Sequence, residues 1–312
     1  MLNSSIGFEQ RTVAKSVYFV GKGLHSGRVT NMIISPASSG SGITFFRTDN
    51  NQNKPLKAQV INVGNTDLCT MLGSSNNVVG TVEHLMGALA YLGINNADIT
   101  LNSPEVPILD GSALQYVEKL KEAGFKKLKG RREYFIVKKD FEIEENGRIV
   151  RVEKSEQLKV SCHIDYPSFI GKASVEVILN NEGFEKFLGA RTFCHLQEIE
   201  KMRSMGLALG GSLDNAVVVD GYKGVLNPEG LRFKNEFAYH KILDFVGDMC
   251  LFPAPIIGHF TLVKAGHALH SKFMAELLKK RFEYLLPVNE YEDNERVLNF
   301  NKNYELSTVG RI

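Results

Sequence analysis

The chain lacks paired cysteine spacing, lacks any apolar run long enough to cross a membrane, and lacks a marked excess of either charge. Its four cysteines, Cys69, Cys162, Cys194 and Cys250, are scattered, which argues against both a disulfide framework and a thiolate zinc knuckle and fits a reducing compartment. Lys and Arg number 37 against 35 for Asp and Glu, a formal net charge of +2 that is too mild to imply a nucleic-acid partner. The first ten residues have no basic patch followed by an apolar stretch, so no secretory signal and a cytoplasmic location are expected. One local basic run, Lys126-Lys127-Leu128-Lys129-Gly130-Arg131-Arg132, reads as a solvated linker. What is present is enough apolar residue, 43% of 312, to fill the core of one large or two ordinary domains.

The most informative stretch is His240-Lys241-Ile242-Leu243-Asp244, because a His and an Asp one helical turn apart project from the same face and can grip one metal ion. Apolar residues around it recur at helical spacing and stop before Pro253. Far upstream lies Glu83-His84, in an apolar run that a Thr81 cap opens and Gly93 closes, so His84 is expected in the first turn of a helix. The positive end of the helix dipole disfavours imidazolium there, and a neutral imidazole is the form a metal needs. Two His and one carboxylate leave a fourth position for water, which is how catalytic zinc is held, and the arrangement predicts a hydrolase. A lone His-x-x-x-Asp pair is more often an ordinary helix face, and Glu83 alone would more often be a carboxylate favoured by the dipole.

Strand-like segments at 17–20, 29–34 and 42–47 precede the helix at 81–92, with a strand at 96–101 and a helix at 112–123 to follow. Beyond the basic run, strands are expected at 133–137, 147–152, 158–164 and 173–179, a helix near 195–205, the His240 helix, a strand at 258–263 and a helix over about 271–284. The pattern suggests an α+β pair of halves built on related plans, although no repeat is visible in the residues themselves.

Seven motifs together carry a resemblance. Val20-Gly21-Lys22-Gly23-Leu24-His25-Ser26-Gly27, Thr81-Val82-Glu83-His84-Leu85, Glu105-Val106-Pro107-Ile108-Leu109-Asp110-Gly111-Ser112-Ala113, Ala190-Arg191-Thr192-Phe193, Leu209-Gly210-Gly211-Ser212, His240-Lys241-Ile242-Leu243-Asp244 and Gly266-His267-Ala268-Leu269 resemble, in order, the UDP-3-O-acyl-N-acetylglucosamine deacetylase family. The likeness spans about 10–285 and leaves the tail unassigned. It implies an α+β fold of two β-α-α-β domains, 1–129 and 130–312, with helices sandwiched between sheets and an insert in each, the second at about 191–220. The implied reaction removes the N-acetyl group from a UDP-activated, 3-O-acylated glucosamine and releases acetate, the committed step of lipid A synthesis in Gram-negative bacteria.

Amide hydrolysis near neutral pH needs a strong nucleophile, a stabilised oxyanion and a proton for the leaving amine. Zinc on His84, His240 and Asp244 would supply the first by lowering the pKa of its water to about 7. Glu83 points roughly 100° around the helix from His84, beside the metal, and is the candidate general base. His267 is the best remaining imidazole for protonating the amine; the resemblance implies that Asp248 orients it, that Thr192 donates a hydroxyl to the oxyanion, and that Lys241 adds positive charge. His163, His195, His259 and His270 read as imidazoles without a metal partner.

Leu196, Ile199 and Met202 fall at helical spacing, which alone would mean core packing. By resemblance they line a passage for the acyl chain with Phe193, Gly211, Ser212, Ala216 and Val218. At His195 the family more usually shows Phe, so an imidazole here replaces an apolar lining residue. Lys264 and Arg148 are candidate diphosphate partners, Phe169 a stacking surface for uracil, His25 a substrate contact, and Cys69 a thiol near the site mouth able to take excess metal. The loop Asp165-Tyr166-Pro167-Ser168 looks shortened. The expected partners are the UDP-sugar and water; the expected state is a monomer without a membrane span, in loose contact with membrane-associated pathway steps. A zinc amidohydrolase acting on another acylated sugar or on peptide would use the same triad. A non-enzymatic nucleotide or RNA-binding protein would account for the basic run but leave Glu83, His84, His240 and Asp244 without purpose.

Overall fold

A computed structural model describes residues 9–50, 54–167, 169–179 and 187–288. Ser168 and the tail beyond 288 lie outside the described residues. Two five-stranded sheets dominate. The first runs, in spatial order, Val17–Lys22, Val29–Pro36, Ala97–Leu101, Ile43–Arg47, Leu56–Lys57; the second runs Phe141–Glu145, Arg148–Glu153, His259–Val263, Lys159–Asp165, Lys172–Ile178. In each sheet two antiparallel hairpins flank a central strand, which lies antiparallel to the first hairpin and parallel to the second. The related plans expected for the two halves are therefore present as one strand order used twice.

Alternation explains why each sheet covers a helical layer. Along Val17–Lys22 the chain places Val17 and Phe19 inward while Tyr18 and Val20 face out, the period-two pattern of a half-buried strand. The covered layer holds α1 (Glu83–Tyr91) and α2 (Leu114–Ala123) from the first half, and α4 (Glu236–Met249) and α5 (His267–Lys279) from the second, with α3 (Leu196–Ser204) in the second insert and α6 (Arg281–Tyr284) at the end. Helix α1 packs on α4; α2 meets α1 and the first sheet; α4 and α5 lie on the second sheet. One continuous apolar cluster joins both halves, from Phe19 and Phe45 to Phe245, Phe260 and Phe273. No helix among the described residues is long and apolar enough to cross a membrane.

Each half carries its insert in the same place, between the fourth strand of its sheet and its first long helix. The first contains the hairpin Leu72–Ser74 and Asn77–Val79; the second contains Phe193–His195, α3, Val217–Asp220 and Gly224–Val225.

Three expectations are corrected. The basic run is not a linker: Phe125–Arg131 is a strand paired antiparallel with Glu9–Val13, and it runs across the 129/130 boundary. Its side chains are almost all exposed, so no apolar alternation marks it, and its backbone partners lie at the far N-terminal end. Thr81 does not cap α1. Its φ is +57°, its hydroxyl donates to Glu105 Oε1 at 2.7 Å, and Val82 occupies the cap position with no side-chain bond. The last long helix begins at His267 rather than near 271 and breaks at Lys280 before the single turn of α6.

Candidate metal centre and active site

The site forms where α1 crosses α4, and of the two glycines at the crossing Gly247 sets its closeness. A Cβ on Gly247 would lie 2.0 Å from the Glu83 carbonyl oxygen, whereas one on Gly87 would meet only the Leu243 Cδ1 methyl, at 2.7 Å. Backbone cannot yield as a side chain can. Alanine in a helix interior ordinarily gains about 0.5–1 kcal/mol over glycine, but overpacking against main chain costs about 1–3 kcal/mol or more, so the clash decides at Gly247. Gly247→Ala is expected to lower the unfolding midpoint and to spread α1 from α4, while Gly87→Ala is tolerated. Thermal unfolding of the two variants checks this, and an unchanged midpoint for Gly247→Ala would reject the close crossing.

Across this contact α1 presents Glu83 and His84, and α4 presents His240, Asp244 and Asp248, all buried. Asp244 Oδ1 lies 3.2 Å from His240 Nε2 and 3.5 Å from His84 Nε2. His240 Nδ1 is 3.0 Å from the carbonyl of Ala190, which can only accept, so Nδ1 carries the proton and Nε2 offers a lone pair. Burial drives the His240 pKa down to about 3, so no proton fills the gap between that lone pair and the carboxylate. Asp244 Oδ1 has no hydrogen-bond partner among the described residues. Two buried acceptors thus face each other with His84 Nε2 beside the same carboxylate oxygen, an arrangement that a cation satisfies. Bonds of about 2.0–2.1 Å at a tetrahedral centre place neighbouring ligand atoms about 3.3 Å apart, close to both observed separations. The donor set fits zinc, with the three ligand atoms within 4.8 Å of one another. Burial opposes ionisation of Asp244, but the Lys241 ammonium, whose Nζ lies 2.8 Å from Oδ2, helps hold its carboxyl well below the usual range.

A second cluster adjoins the first. His267, at the first position of α5, places Nε2 3.6 Å from Glu83 Oε1 and 3.8 Å from Asp244 Oδ2. Its Nδ1 donates to Asp248 Oδ2 at 2.8 Å. Burial works against its charge, but Asp248 and Glu83 outweigh that and raise it to about 9. Burial pushes the Glu83 carboxyl up to about 7. Two groups in contact, one carboxyl raised toward neutrality and one imidazole held charged, form an acid and base pair.

Residues outside the seven motifs complete this cluster. Thr70 donates its amide to Glu83 Oε2 (3.1 Å) and its hydroxyl to Asp248 Oδ1 (2.5 Å). His270, expected to be an imidazole without a metal partner, is buried and donates Nδ1 to the same Asp248 oxygen as His267, at 2.8 Å. Arg191, inside a recognised motif but given no role, bonds Glu236 at the start of α4 and Gly230 O, which fixes the Ala190 carbonyl beside His240.

The remaining expected residues divide by place. Phe193 stacks its edge region against His240 at 5.9 Å and lies 5.4 Å from Lys241 Nζ, while Thr192, next to it, is tied to Gly111 O through its amide. None of the α3 residues is buried, so Leu196, Ile199 and Met202 do not form core; Leu196, Met205, Leu209 and Leu213 are all exposed apolar side chains. Ala216 and Val218 are buried, Ser212 turns the chain through Asn215, and Gly211 sits against Leu24. His195 lies 6.3 Å from the Tyr166 ring. His25 accepts the Ala208 amide at Nδ1, so Nε2 carries the proton, and this buried donor has no partner among the described residues.

Lys264 and Arg148 share one end of the second sheet, where Ile149 faces Val263. Lys264 is already paired with Asp165 at 2.7 Å. Phe169 is exposed and rests on Gly224 of the second insert. Cys69 is buried rather than open at a mouth, and burial raises its thiol to about 12.

The family model described as "LpxC: UDP-3-O-acyl N-acetylglycosamine deacetylase" matches residues 10–279. A UDP-3-O-acyl-N-acetylglucosamine deacetylase of Anaeromyxobacter dehalogenans (strain 2CP-C) is 43% identical over 273 residues, covering 87% of this chain and 88% of its own. Proteins of the same name from Campylobacter fetus subsp. fetus (strain 82-40) and Acidithiobacillus ferrooxidans (strain ATCC 53993 / BNL-5-31) are 41% identical over 278 residues and 43% over 276, covering 88% and 87% of this chain and 94% and 90% of their own.

Proposed function

Because the chain belongs to the UDP-3-O-acyl N-acetylglycosamine deacetylase family, we propose that it hydrolyses the N-acetyl amide of UDP-3-O-acyl-N-acetylglucosamine, releasing acetate in lipid A biosynthesis. The observation that carries this reading is the meeting of two clusters across one helix crossing: His84, His240 and Asp244 with ligand atoms converging on one point, and a base and acid within 3.6 Å of each other. Zinc held by His84, His240 and Asp244 supplies Lewis acidity toward water and the amide carbonyl.

The protein's own groups handle the protons. Glu83, fixed at Oε2 by the Thr70 amide, takes a proton from the attacking water. The water oxygen bonds to the carbonyl carbon, the C–N bond breaks, and the amine nitrogen receives the Nε2 proton of His267. Asp248 keeps that imidazole oriented and charged. Thr192 and Lys241 stabilise the negative charge that develops on the carbonyl oxygen. His25, Phe193 and the exposed apolar stripe of α3 with Gly211, Ser212, Ala216 and Val218 receive the sugar and its acyl chain; Arg148 and Lys264 meet the diphosphate and Phe169 the uracil. The same reading takes the two halves of the chain, meeting just after the strand Phe125–Arg131, as two repeats, each closing its own five-stranded sheet.

Metal analysis of the purified protein, joined to acetate release from the UDP-sugar, tests the assignment. About one equivalent of zinc and stoichiometric acetate are expected. Zinc-bearing protein that leaves this substrate intact but cleaves another acylated amide would redirect the reading to a different amidohydrolase.

The pH dependence has a defined sign. Activity rises as Glu83, raised to about 7, loses its proton, and falls as His267, raised to about 9, loses its own. A bound divalent cation favours the charged carboxylate and draws the acidic limb lower. The profile of kcat/KM is expected to be bell-shaped, and His267→Ala to cut turnover by about 10²–10⁴-fold, to retain zinc and to alter the basic limb. A wild-type rate and profile in folded His267→Ala protein would remove it as the acid.

A further inference from the structure

Three of the recognised motifs supply neither a metal ligand nor a member of the acid and base pair: the loop around His25, the segment beginning at Glu105, and Leu209-Gly210-Gly211-Ser212. The structure brings them together. Glu105 is buried, and its carboxylate accepts from the amides of His25 (2.9 Å) and Ser26 (2.7 Å) and from the Thr81 hydroxyl (2.7 Å). Gly23 belongs to this contact, since a Cβ there would meet Glu105 Oε2. The loop held in this way offers the carbonyls of Leu24 and His25 to the second half of the chain, where they accept the amides of Gly210 (3.0 Å) and Leu209 (3.1 Å). A Cβ on Gly210 would collide with the Gly23 carbonyl oxygen. Ala208, with φ +53°, donates its amide to His25 Nδ1 at 3.4 Å.

We propose that Glu105 is a positioning residue for substrate selection: through the loop 23–27 it clasps residues 208–210 of the second insert, and so fixes the wall of the acyl passage against the half that carries Glu83. This rests on the reading of α3 and its flanking segment as the acyl passage. A charge-assisted carboxylate with three converging donors suits the task, because an amide in its place pairs with the same groups only through neutral, weaker hydrogen bonds. Leu209 stands on the clasped segment as an exposed apolar side chain, and Gly211 and Ser212 of the passage follow it directly in the chain, so displacement of the segment moves the acyl contacts while the ligands stand on α1 and α4.

The test compares deacetylation of UDP-N-acetylglucosamine substrates bearing a long and a short 3-O-acyl chain, in the zinc-loaded full-length protein and in two variants. Glu105→Gln alters the first half's side of the clasp and Gly210→Ala the second's, so the outcome does not depend on the fold of either one. Each is expected to reduce the long-over-short ratio of kcat/KM by about tenfold, mainly through KM for the long chain, with zinc content unchanged. A wild-type ratio near one would mean that no acyl passage exists and would overturn the underlying reading. A discriminating wild type with folded variants that keep its ratio, or that lose both substrates equally, would overturn the clasp alone.

Discussion

Glu83→Gln is expected to lower kcat by about 10²–10⁴-fold while zinc stays bound. Glutamine keeps the shape, and its carbonyl oxygen can still accept the Thr70 amide that now reaches Oε2. It cannot take a proton. The carboxylate also favours the charged form of His267, 3.6 Å away, so its removal is expected to bring the basic limb of the pH profile down as well. Turnover equal to wild type would remove Glu83 from the mechanism, and loss of zinc would make its role one of metal retention.

Asp244→Ala and His240→Ala are expected to abolish zinc binding and bring acetate release to background. Asp244 Oδ1 has no hydrogen-bond partner among the described residues, and two ligands cannot complete the open tetrahedral set. Asp244→Ala carries a second penalty, since Lys241 Nζ loses its partner at 2.8 Å; breaking one side of a buried ion pair costs about 3–5 kcal/mol, although the lysine is 19% exposed and solvent reduces that figure. His240→Ala strands no charge, so it separates metal loss from instability. Stoichiometric zinc in folded His240→Ala protein would reject the ligand assignment.

The parts of the site readable from the residues were those in which chemistry and spacing lie on one helix. His240 and Asp244 are one turn apart, and Glu83 and His84 adjoin at a helix start, so local periodicity displayed both pairs. Their meeting across α1 and α4 depends on Gly247, which no spacing rule connects to Glu83. Thr70 lies 178 positions from Asp248, and a threonine in a loop carries no mark of such a bond. His270 was closer to hand. It follows His267 by three residues on the same helix, but a helix start placed near 271 left the pair outside the periodic segment and hid their common face. In the fold, half-buried strands announced themselves by alternation, whereas Phe125–Arg131, exposed on both faces, gave periodicity nothing to register.

The repeated strand order bears on how the chain emerges during synthesis. In each sheet the central strand is the last of the five to be made: Ala97–Leu101 enters between strands completed by Arg47, and His259–Val263 between strands completed by Asp165. Until then each half consists of two hairpins with open inner edges, the state most exposed to wrong pairing. The helix that bears the ligands, α1 in one half and α4 in the other, is always translated just before its closing strand. Insertion of that strand pairs both inner edges at once, so a nascent half cut short of it presents two open edges although its ligand-bearing helix has already been made.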